Sequence, residues 1–186
     1  MIREIVKYGH PALRTKGARV KDVTSEIEVL AADMVETMHA ARGVGLAAQQ
    51  VGVPLQLAVI DVGGIEDRPS TMRIDNQDVP VDRWMPLILL NPELELGSEK
   101  EIGNEGCLSF PEMSGEIARA ASVRAKAQLL DGRRIIFEAT GLLARALQHE
   151  CDHLQGILFI DRMSSAAKAT LAGRLKRLQK ETTEAR

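Results

Sequence analysis

Gln148-His149-Glu150-Cys151-Asp152-His153-Leu154 is the stretch on which the reading of this chain turns. It closes an apolar-periodic segment, Thr140 to Leu154, with Gly156 just beyond it, and this pattern predicts a helix. On a helix, His149 and His153 stand one turn apart on one face, so both imidazoles can reach a single metal ion. Glu150 projects beside them, within range to exchange a proton with a water held there. Cys151 points away from that face and is expected in the core. Two histidines can also fall at this spacing by chance, so the rest of the chain must decide.

A catalytic site of this kind needs three protein ligands and an open position. The search downstream fails: between His153 and Glu181 the only acidic residue is Asp161, and no histidine follows. Upstream lies Glu105-Gly106-Cys107-Leu108-Ser109. The Cys107 thiolate suits a soft or borderline divalent metal, and Gly106 lets the backbone come close. Taken alone, Cys107 could equally be a small buried hydrophobe. A third stretch, Gly43-Val44-Gly45-Leu46-Ala47-Ala48-Gln49-Gln50, carries two glycines that suit a strand edge receiving an extended peptide, or that simply end a helix.

Further out, Ser25-Glu26-Ile27-Glu28 reads as a capping box with Ser25 at the N-cap. Ile27, Leu30, Ala31, Met34, Met38 and Ala41 then recur at helical spacing as far as Gly43, with His39 beside the stripe. Strands are expected at Gln56–Val62 and Pro86–Asn91. Gly63 to Met85, between them, reads as a charged surface excursion without chemistry of its own. Ser122–Leu130 and Arg133–Ala139 flank Asp131-Gly132 and predict a hairpin with one wet face. Ile157–Ile160 reads as a short strand. A last helix opens near Ser164 or Ser165, with Ala167, Leu171, Leu175 and Leu178 inward. The expected fold is therefore α+β: antiparallel sheets and hairpins around a central helix carrying the histidines, followed by a C-terminal helix.

Length and composition agree with one catalytic domain over residues 1–186: 45% of residues are apolar and 27% charged. The formal charge, 24 − 26 = −2, gives no field for a phosphate backbone, so nucleic-acid binding is not expected. No apolar run is long enough to span a bilayer, and the first residues lack the apolar stretch of a signal peptide. Cys107 and Cys151 are expected as free thiols in the cytoplasm.

Gly43–Gln50, Glu105–Ser109 and Gln148–His153, in that order, resemble the three motifs of the peptide deformylase family. The resemblance extends to Pro11-Ala12-Leu13-Arg14, Leu90-Asn91-Pro92, Gly141-Leu142-Leu143-Ala144 and Asp161-Arg162. It implies a hydrolase that removes the formyl group from N-terminal formylmethionine of nascent polypeptides and releases formate. It implies one divalent ion held by Cys107, His149 and His153, with Fe²⁺ favoured and Zn²⁺, Ni²⁺ or Co²⁺ compatible with the donors. It makes Glu150 the general acid–base, and assigns the Gln50 side-chain amide and the Leu108 N–H to the oxyanion. The substrate is then expected between the Val44-Gly45 edge and Gly106. Leu142 and Ala146, seven and three residues before His149, would form the methionine pocket with Val44 and the stem of Arg145. Nascent peptides are the expected partners, with transient ribosome contact and no membrane. Two other readings are a metallopeptidase cutting internal bonds, which the missing downstream ligand disfavours, and a silent peptide-binding module, which would not need Glu150.

Overall fold

The computed structural model describes residues 1–186. The first long helix, α1 (Ser25–Ala40), is capped by Thr24, whose hydroxyl accepts from Ile27 N at 3.4 Å; Ser25 is already helical. Its buried stripe, Leu30, Ala31, Met34 and Met38, lies against Leu46, Leu57, Val59 and Leu90. Each fully buried methionine contributes about 1.5–3 kcal/mol. Gly43 N–H reaches back to Met38 O at 2.9 Å, and Arg42 turns the chain out at φ +56°.

The strands are β1 (Gly45–Ala47), β2 (Leu57–Ile60), β3 (Ser70–Ile74), β4 (Gln77–Val79), β5 (Leu87–Leu96), β6 (Lys100–Cys107), β7 (Phe110–Ala120), β8 (Ser122–Gln128) and β9 (Arg134–Thr140). Seven form one sheet in the order β1-β2-β5-β8-β9-β3-β4, and β6 and β7 form a separate hairpin. Every pairing within these sheets is antiparallel. On β8, Val123, Ala125 and Ala127 are buried while Arg124 and Lys126 face water, as the alternation predicts. The α+β expectation is met.

Helix α2 (Gly141–Leu154) carries the histidines and packs against both the large sheet and β7. Its Gln148 docks it there: Oε1 accepts from Ala120 N at 2.9 Å and Nε2 donates to Ala120 O at 3.0 Å. Helix α3 (Ser165–Glu184) starts at the Ser164 cap and buries Leu171 and Leu175 in a cluster with Phe110 and Phe159.

Besides the N-cap, expected at Ser25 and found at Thr24, two expectations about local structure need correction. Ile157–Ile160 is not a strand; the chain passes instead into a 3-10 turn, Phe159–Arg162. The Asp161 carboxylate accepts from Leu158 N at 2.9 Å and holds that turn closed. The Gly63–Met85 segment is more than an excursion. It supplies β3 and β4, which extend the large sheet beyond β9, and Met72 is fully buried. Ser70 Oγ also accepts from Leu143 N at 2.9 Å, and so caps the first turn of α2, where Thr140 offers no side-chain cap.

Candidate active site

Helix α2 sets the histidines in register, and the β6–β7 hairpin brings Cys107 to them from a distant part of the chain. The Cys107 Sγ and one imidazole nitrogen each of His149 and His153 all lie within 4.8 Å of one another. Cys107 Sγ is 3.3 Å from His153 Nε2, and the two rings are 5.0 Å apart at 69°. His149 Nδ1 donates to Glu105 Oε1 at 2.8 Å, because a carboxylate can only accept. That leaves its Nε2, once it gives up its proton, to offer a lone pair to a ligand. The chemistry of this donor set fits one divalent transition metal, with sulfur and two imidazoles from the protein and room for more.

The site opens into a cavity of about 690 Å³. Of the predicted residues, Val44, Gly45, Gln50, Gly106, Cys107, Leu108, Leu142, Arg145, Ala146, His149 and Glu150 line it, and His153 is buried behind them. Strand β1 is an edge of the large sheet, so the outer side of Gly45 faces no other strand. A Cβ at Gly45 would stand 2.9 Å from Glu150 Cδ, so glycine is needed there for the carboxylate to fit.

Glu150 Oε2 is buried with no hydrogen-bond partner in the protein. Burial raises its carboxyl to about 7, against the opposing pull of a charged His149. Gln50 is anchored: Oε1 accepts from Ala47 N at 2.9 Å and one Nε2–H donates to Ser109 Oγ at 3.2 Å, while Nε2 lies 3.5 Å from Cys107 Sγ, so its second N–H is turned toward the donors. Leu108 N–H donates to no backbone or side-chain acceptor. Cys151 lies away from the donors and, rather than in the core, is half-buried at a second cavity; burial raises its thiol to about 12.

Sequence reasoning missed the charged lattice behind the donors. The Glu105 carboxylate, 6% exposed, accepts from Arg119 Nε and Nη2 at 2.8 and 2.9 Å and from Arg145 Nη1 at 2.9 Å, besides His149. Burial pushes the Glu105 carboxyl up, but the bonds from Arg119 and His149 outweigh it and hold it well below the usual range. Arg119 continues to Asp152 at 2.6 Å, and Arg162 closes on Asp152 at 2.9 Å. Arg145 also donates to Ile117 O and Glu101 O, so its head belongs to this lattice, and the residue also lines the cavity. The absence of a side chain at Gly103 makes room for that head: a Cβ there would sit 2.9 Å from Arg145 Cζ. No local signal marks Arg119; only the pairing of β6 with β7 brings it to Glu105.

Comparison with known proteins gives a consistent result. The family model described as polypeptide deformylase matches residues 2–169. The chain is 46% identical to a peptide deformylase of Methylacidiphilum infernorum, over 97% of this chain and 94% of that one. It is 40% identical to a peptide deformylase of Opitutus terrae, over 100% of this chain and 97% of the other. The crystal structure of peptide deformylase from Ehrlichia chaffeensis superposes with a TM-score of 0.83 at 33% identity, covering 100% of both chains.

Proposed function

The chain belongs to the polypeptide deformylase family, and from that premise we propose that it hydrolyses the formyl group from N-formylmethionyl nascent peptides in the cytoplasm, releasing formate near the ribosome. The observation that carries this reading is the convergence of Cys107, His149 and His153 beside an unpartnered, buried Glu150 in one cavity. Cys107, His149 and His153 would hold one divalent ion, Fe²⁺ in preference to Zn²⁺, Ni²⁺ or Co²⁺. When bound, the ion supplies Lewis acidity that makes water a nucleophile near neutral pH and polarises the formyl oxygen.

The chain's own groups do the rest. Glu150 accepts the proton of the attacking water and later passes it to the departing amine. Gln50 Nε2 and the free Leu108 N–H donate to the formyl oxygen as negative charge develops on it. Both sit on segments fixed by hydrogen bonds, so little reorganisation is needed during reaction. The peptide lies extended against the open edge of β1 at Val44-Gly45, with Gly106 opposite. Its methionine side chain enters among Leu142, Ala146, Val44 and the Arg145 stem. No helix of the structure is long and apolar enough to cross a membrane.

Formate release from formyl-Met-Ala, compared with hydrolysis of acetyl-Met-Ala and of an unblocked longer peptide, tests the reading. Turnover of the formyl peptide alone is expected. Cleavage of internal bonds, or equal turnover of the acetyl peptide, would overturn it.

A further inference from the structure

Val6, Lys7 and Tyr8, just before a 3-10 turn at Pro11–Arg14, form a clasp beside the cavity. Val6 N–H donates to Gln50 O at 2.9 Å, and Tyr8 N–H donates to Ser109 O at 3.0 Å. Between them, Lys7 Nζ donates to Leu108 O at 2.9 Å. Three consecutive residues thus stitch together the two segments that carry Gln50 and Leu108, which are far apart in sequence. Lys7 also lines the cavity itself and has no carboxylate within ion-pairing distance.

Leu108 is otherwise held only on its flanks. Its side chain lies over Gly43, where a Cβ would stand 2.7 Å from Leu108 Cδ1, and Ser109 Oγ accepts from Gln50 Nε2. It belongs to neither β6 nor β7 but to the two-residue turn between them, and the ladder stops at the Cys107–Phe110 pair on either side of it. The Lys7 ammonium is the only group that grips the Leu108 carbonyl. A backbone donor left without such an anchor can rotate about its flanking torsions, and a misplacement of about 1 Å at a reacting centre can cost roughly 10²-fold in rate.

We infer that Lys7 is a positioning residue for the reaction: by holding the Leu108 carbonyl it fixes the Leu108–Ser109 peptide plane and with it the Leu108 Cα, on which the adjoining Cys107–Leu108 plane, and so the direction of the Leu108 N–H toward the developing oxyanion, depends. The inference rests on the deformylase reading. The Leu108 donor is used mainly in the transition state, so losing its alignment lowers kcat and leaves ground-state binding nearly unchanged. Arginine at position 7 keeps a cationic donor within reach; methionine keeps the stem and removes the donor.

The test compares the parent with Lys7→Met, Lys7→Arg and Lys7→Gln, all fully metal-loaded. It measures kcat and KM for formyl-Met-Ala-Ala, Kd for the product Met-Ala-Ala, bound metal and thermal midpoint. Lys7→Met is expected to lower kcat about 10- to 100-fold, with KM and product Kd within about 2-fold of the parent and full metal content. Lys7→Arg should recover most of kcat, and Lys7→Gln, which keeps one neutral donor, should fall between. If Lys7→Met unfolds, Lys7→Gln against Lys7→Arg decides: equal kcat in those two overturns the inference. Unchanged kcat in Lys7→Met, a rise confined to KM, or loss of metal overturns it as well. An inactive parent would instead count against the deformylase reading itself, so the two failures are distinguishable.

Discussion

Replacing Glu105 by glutamine keeps the shape of the side chain and removes its charge at the centre of the lattice behind the donors. The carboxylate is 6% exposed and accepts four charge-assisted bonds, two from Arg119 and one each from Arg145 and His149. A glutamine offers one acceptor oxygen, and its amide N–H groups would face donors. Arg119 and Arg145, both buried, are then left short of an anion, although Asp152 still holds one edge of Arg119. Removing one partner of a buried ion pair costs about 3–5 kcal/mol. With an m-value near 2 kcal/mol/M, the urea midpoint of metal-free protein should fall by roughly 1.5–2.5 M. His149 also loses the acceptor that fixes its Nδ1–H, so metal affinity should fall about 10- to 100-fold. Urea unfolding of chelated protein and competitive metal titration measure the two effects separately. Glu116→Gln, exposed on β7, serves as the control and should change stability by less than about 0.5 kcal/mol. A Glu105→Gln protein within about 1 kcal/mol of the parent, with unaltered metal affinity, would refute the role given to this lattice.

Glu150→Gln should retain its metal while kcat falls by about 10²- to 10⁴-fold, read by elemental analysis and formate release; loss of metal with full activity on reconstitution would make Glu150 structural. Ser70→Ala removes the cap of α2 supplied by the 63–85 segment and should cost about 0.5–2 kcal/mol in urea unfolding. Asp161 is pushed up by burial but drawn below its ordinary value more strongly by Arg14 and by Leu158 N–H. Its folded value being depressed, the stabilisation is full above the unfolded value of about 3.9 and disappears as pH falls through the folded one. Asp161→Asn should therefore cost at most about 1 kcal/mol at pH 7, since the pair is partly exposed, and the gap to the parent should close on acidification below about pH 4.

The three helices and the histidine pair were legible because their signals are local, apolar periodicity and a one-turn spacing, whereas Cys107 joined them only through the pair's missing third donor and the resemblance of the three motifs. What was missed fails for identifiable reasons. Thr24 and Ser25 are adjacent hydroxyls, either of which can cap, and the backbone chose Thr24. Ile157–Ile160 is an apolar run of four, too short for periodicity to separate strand from turn. The β3–β4 hairpin did carry a signal. Asp75-Asn76, at φ +50° and +63°, is a turn pair suited to left-handed backbone, and it passed unread among charges. The asymmetry between motif and lattice is physical. His149 and His153 announce themselves by their spacing, whereas Arg119 and Lys7 gain their meaning only from the elements that fold against them.

Central to the proposed function is that Cys107, His149 and His153 jointly hold one metal ion. Elemental analysis of anaerobically purified parent, Cys107→Ala and Cys151→Ala tests this directly. One equivalent of a divalent transition metal is predicted in the parent and in Cys151→Ala, with little or none in Cys107→Ala. Full occupancy in Cys107→Ala, or loss confined to Cys151→Ala, would contradict it.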